Sequence, residues 1–142
     1  MRELRYGARF KREKNGGYSV SFPDFPDAFT SGKDLNQARA MAADCLAEAI
    51  AARIHDGEDI PAPTYGAKAI AVPLPMAFKA ALHQAMRDQG ISNSALARRL
   101  GRDEKVVRQL LDTKRTGSRL ESFEEALRAV GMEATVSIHR AA

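Results

Sequence analysis

Few side chains in this sequence could do covalent or metal chemistry. Asp24 and Asp27 flank Pro26 in PDFPD; paired carboxylates can hold a metal or act as acid and base, but this spacing in a Pro-containing loop is not a motif, so they read as solvated loop acids or partner contacts. His55, His83 and His139 fall in three different elements with no ligand spacing among them, and read as surface or capping residues. Cys45 lies on the apolar stripe of a helix and reads as a small buried hydrophobe rather than a nucleophile. As the one cysteine it makes no internal disulfide and no structural zinc site. There is no Gly-rich phosphate loop and no GxSxG elbow. No catalytic residue, metal site or cofactor is expected, which argues against an enzyme.

Binding chemistry is better supported, in the stretch ISNSALARRLGRDEKVVRQLLDTKRTG. Ser92 can cap a helix over 93–100 and Asp103 a second helix from Glu104 to about Leu111, with Gly101 ending the first in a tight turn. Ala97, Gly101 and Val107 have the spacing of a helix-turn-helix: a small residue where the helices touch, a turn residue four on, and an aliphatic anchor six further. Glu104, Lys105, Arg108, Gln109 and Asp112 then project from the second helix, and Arg and Gln suit bidentate contacts to bases. Arg102, Lys114, Arg115 and Arg119 flank it, placed with the Ser92 and Ser94 hydroxyls to meet phosphates. Glu104 and Asp112 are unfavourable near phosphates, so they either sit back from the duplex or accept from a cytosine amino group. The alternative is a helical pair with a solvated basic face; core spacing, turn and flanking charge together favour DNA.

The elements that would carry these residues follow from the pattern. Leu4 to Phe10 reads as a strand, Asn15-Gly16-Gly17 as a turn, and Tyr18, Val20 and Phe22 as the inner face of a second strand. Pro23 and Pro26 precede a short third strand around Ala28 to Ser31. Asp34 and Gln37 open a helix running to about Asp56, with Leu35, Ala38, Ala42, Cys45, Leu46 and Ala49 on its apolar stripe and Gly57 as its stop. Lys68 to Pro73 would close a β-β-β-α-β module. Pro75 then opens a helix ending at Gly90. After the basic helices, Ser118 and Glu121 look like a capping box for a helix to about Val130. Met132, Ala134, Val136 and Ile138 alternate as a terminal strand. That strand must return to the first module or pair with its copy in a second chain.

The charge divides along the same line. Over 142 residues the formal net charge is +4, with 44% hydrophobic and 28% charged residues, an ordinary globular composition. Residues 1–66 hold 9 basic and 10 acidic side chains, and residues 67–142 hold 13 and 8. Eight acids lie between 24 and 59, against Lys33, Arg39 and Arg53. The sequence therefore reads as an acidic module, 1–73, joined through the Pro- and Gly-containing segment 56–68 to a basic one, 74–142. The charged start MRELRYGARFKREK has no signal-peptide core and no apolar run could span a membrane, so a cytoplasmic protein is expected.

With these residues in place, GYSVSFPDFPDAFTSGKDLNQARAMAADCLAEAI followed by IPAPT, together with SNSALARRLGRDEKVVRQLL, resembles the HicB antitoxins of HicAB toxin-antitoxin pairs, in the version with a C-terminal phage-repressor-like helix-turn-helix. The resemblance spans most of residues 4–130. It implies an α+β chain: a non-catalytic, partial RNase H-like domain that binds and blocks a HicA-type RNase, then a DNA-binding domain that represses the shared operon. In this family the toxin is small and basic, which agrees with the acids between 24 and 59. Under this reading Tyr18, Phe22, Asp24, Phe25 and Asp27 are toxin contacts, and Met132, Ala134, Val136 and Ile138 form the seam of a homodimer or higher homo-oligomer. A stand-alone repressor whose first module senses a ligand or aids assembly is the runner-up. An active nuclease would need several convergent carboxylates, and the strand candidates 4–10 and 18–22 carry none.

Overall fold

A computed structural model describes residues 3–64, 66, 68–138 and 140. It is an α+β chain with the elements β1 (Arg5–Gly7), β2 (Arg9–Arg12), β3 (Tyr18–Phe22), β4 (Phe25–Gly32), α1 (Leu35–His55), β5 (Ala69–Ala71), α2 (Leu74–Gln89), α3 (Asn93–Leu100), α4 (Glu104–Leu111) and α5 (Leu120–Ala129). Two compact units result, residues 1–80 and 81–142, so the division falls inside α2.

In the first unit the run expected as one strand is two. β1 pairs antiparallel with β5, whereas β2 continues on the other side into the ladder β2-β3-β4. Ala8 sits between them, its N–H donating to the Lys68 carbonyl at 2.8 Å. The β2–β3 turn is built from Asn15-Gly16-Gly17: Gly16 takes φ +88° and the Asn15 side chain accepts from the Gly17 N–H. β4 is longer than expected, and its register against β3 slips between Ser21 and Phe22. Pro26 within it does not break the ladder because it lies at that irregularity.

α1 begins as expected. The Asp34 carboxylate accepts from Gln37 N–H at 2.8 Å, and the Gln37 side chain accepts from the Lys33 N–H at 2.7 Å. Its buried stripe is Ala38, Ala42, Leu46, Ile50 and Ile54; Leu35 is exposed, and Cys45 and Ala49 flank the stripe. The small residues let the helix lie close on the sheet. At Gly32 the approach is closest, and a Cβ there would overlap the backbone of Ala38. Tyr6, Val20, Phe22 and Phe25 complete the core, with Tyr6 and Phe25 edge-to-face at 4.9 Å.

In the second unit α3 and α4 are both capped by the expected residues. The Ser92 hydroxyl accepts from Ala95 N–H, and the Asp103 carboxylate accepts from Lys105 N–H. Gly101 takes φ +63° and ends α3 with its own N–H and that of Arg102 turned back to the carbonyls of Arg98 and Ala97. Leu96, Ala97, Val107, Leu110, Phe123, Ala126 and Leu127 are buried.

Two expectations for this unit fail. Ser118 does not cap α5, which starts at Leu120 with Arg119 in the cap position and no side-chain cap; Glu121 instead meets Arg119 at 3.7 Å. Residues 132–138 form no strand, and all are exposed. Alternation alone makes no ladder, and among the described residues no strand pairs with this segment.

Candidate functional site

The second helix of the α3–α4 pair is the better-formed candidate surface. Burial of Val107 and Leu110 fixes its rotation, leaving Lys105 and Arg108 exposed and Gln109 half-buried. Glu104 is not an independent group: it holds the Arg108 guanidinium at 3.2 Å, one turn along the same helix. Arg102 is likewise engaged, 3.5 Å from Glu125 of α5. Both pairs are half-exposed, so they are weak and exchangeable for a phosphate or base contact. Asp112 turns inward on its own loop, accepting from Lys114 N–H at 3.0 Å, which orders the segment presenting the exposed Lys114 and Arg115. The Ser92 hydroxyl serves its cap and lies 3.3 Å from that of Ser94.

Sequence reasoning missed what anchors the frame behind this surface. Arg99 donates to the Ala129 carbonyl at 2.9 Å and Gln89 to the Val130 carbonyl at 2.6 Å, satisfying the C-terminal carbonyls of α5. These pairs are 30 and 41 residues apart. No local spacing signals them.

In the first unit the expected contact residues separate. Phe22 and Phe25 are each only 1% exposed and belong to the core, so their rings offer no area to a partner; for Phe22 the alternation with Tyr18 and Val20 already required an inward face. Tyr18 is half-buried and Asp27 exposed. Asp24 is a structural clamp: its two oxygens accept from the Thr64 hydroxyl at 2.6 Å and the Thr64 N–H at 2.9 Å, fixing the segment after α1 against the β3–β4 turn. Phe29 went unnoticed, yet it is 76% exposed on β4.

Among the remaining titratable candidates, Cys45 is half-buried, and burial, then the neighbouring Glu48 charge, push its thiol pKa upward. Both effects disfavour a nucleophilic thiolate. His55 is an exposed residue beside Asp56, as expected, whereas His83 is buried; His139 lies outside the described residues. Among the described residues no three His, Cys, Asp or Glu side chains converge as a metal site, and no helix is long and apolar enough to cross a membrane.

Residues 5–82 match the family described as the HicB-like antitoxin of bacterial toxin-antitoxin systems. The chain is 32% identical over 139 residues to antitoxin HicB 1 of Photorhabdus laumondii, covering 97% of this chain and 89% of that protein. It is also 32% identical over 133 residues to antitoxin HicB of Escherichia coli K12, covering 92% and 96%, and 28% identical over 133 residues to antitoxin HicB of Pseudomonas fluorescens, covering 91% and 90%. The chain belongs to the HicB-like antitoxin family.

Proposed function

We propose that this chain neutralises a HicA-type, RNA-cleaving toxin through its first unit and represses its own operon by binding operator DNA through α3 and α4. The first unit is then a partial RNase H-like domain kept for binding rather than catalysis, and α3, Gly101 and α4 are a helix-turn-helix. The observation that carries the DNA reading is the left-handed Gly101 turn between two side-chain-capped helices, with Lys105 and Arg108 exposed opposite buried Val107 and Leu110. Gln109 and Arg108 read bases, and Lys114, Arg115 and Arg119 meet phosphates. Family membership supports the toxin reading.

Residues 132–138 complete the proposal. Met132, Val136 and Ile138 are 47%, 51% and 95% exposed, an apolar seam without a partner strand among the described residues. Pairing with a second copy would cover it and set two recognition helices about a two-fold axis, matching a palindromic operator in the cytoplasm. The test is co-expression with the protein encoded by the neighbouring gene. Growth rescue and a purified complex, together with retention of the upstream DNA in preference to random DNA, are expected; a chain that retains its DNA but rescues no toxic neighbour is a stand-alone repressor.

A further inference from the structure

β4 is an edge strand: among the described residues its only ladder partner is β3. Its N-terminal end is guarded, because Pro26 has no N–H to offer and the register slips beside it. Residues 28–32 carry no such protection and form a template for another strand. Along the α1 side of this edge runs a groove of about 450 Å³, floored by Ala28, Cys45 and Ala49. Phe29, next to Ser21 in register, lines the same groove with its ring exposed.

Charge selects the occupant. Asp27, Glu48, Asp56 and Glu58 border the groove, and the guanidinium of Arg53, its one cation, lies over the Phe25 ring at 4.7 Å as part of the floor. A second copy pairing edge to edge would bring two such acidic rims together, whereas an extended cationic segment would meet them favourably. We infer that the free edge of β4 takes up an extended, cationic segment of the toxin as an added strand, with side chains that enter the groove and cover Phe29. This rests on the antitoxin reading and adds to it where and how the partner is held.

The test uses the full chain and its complex with the protein encoded by the neighbouring gene. Complex formation is expected to slow amide exchange at 28–32 and to slow alkylation of Cys45, the single cysteine of the chain, by about tenfold. Phe29→Ser and Glu48→Lys, both at exposed positions, are each expected to weaken the complex by about tenfold without changing the melting temperature of the free chain. Failure of the wild-type chain to hold that protein overturns both readings. A complex in which 28–32 and Cys45 react as in the free chain overturns this placement alone. So does a fall in the mass of the isolated chain with Phe29→Ser, which would make the edge a contact between copies.

Discussion

The two oxygens of Asp24 are both committed to Thr64, so its loss should be read first as a change in stability. Asp24→Ala should cost about 1–2 kcal/mol in urea unfolding, the net value of two partly exposed hydrogen bonds, while Asp27→Ala, at an exposed position, should leave the midpoint unmoved. Charge reversal at both positions together therefore mixes two effects; Asp27 alone gives the cleaner test of partner contact. At Cys45 burial and the Glu48 carboxylate act in the same direction, so the pH profile of alkylation in the free chain should lie above that of an exposed cysteine. Glu48→Gln should move it back down, by removing the second cause and leaving the first. A profile unchanged by Glu48→Gln would assign the whole shift to burial.

At the scale of elements, what the sequence made legible was local. Asp34, Ser92 and Asp103 cap their helices because each side chain reaches an N–H two or three residues on, and Gly16 and Gly101 mark turns by the φ they permit. Gly101→Ala should destabilise the second unit by about 1 kcal/mol in thermal unfolding, since its φ of +63° crowds any Cβ against the backbone. The capping-box pattern at Ser118 misled by one residue: the cap position falls on Arg119, and Glu121 lies 3.7 Å from the Arg119 side chain. The inward ring of Phe22 is legible as core from the alternation of Tyr18, Val20 and Phe22, whereas Phe25 lies beyond that alternation and only the fold buries it. The exposed Phe29 was invisible because it lies past a register slip that resets the alternation. The recognition role assigned to α4 predicts a division: Arg108→Ala or Gln109→Ala should weaken operator binding by about 1–3 kcal/mol and alter base preference, whereas Lys114→Ala or Arg115→Ala should reduce the salt dependence with preference unchanged. Equal losses on operator and random DNA from all four would move the reading face elsewhere.

For the whole molecule, the faint net charge of +4 was less informative than its distribution, and the distribution was legible without coordinates. Assembly was not, because the exposed apolar positions at 132–138 show only what a single chain leaves uncovered. Deletion of 132–142 should convert the proposed dimer to a monomer in light scattering and abolish the steep dependence of operator retention on protein concentration, while leaving the antitoxin complex intact. An unchanged mass would place the seam elsewhere. The pairing of β1 with β5 also bears on the order in which this protein becomes active. Arg5 faces Ala71, and the Val72 N–H donates to the Leu4 carbonyl, so the first ladder closes only after the chain has been synthesised well past α1. The first unit is thus sealed at the start of α2, and the segment that follows emerges from the ribosome just as its neighbour completes. Truncated translation products ending before residue 69 would have no β5 to close on, and would leave the Tyr6 face without the strand that pairs it, marking them for proteolysis rather than partial activity.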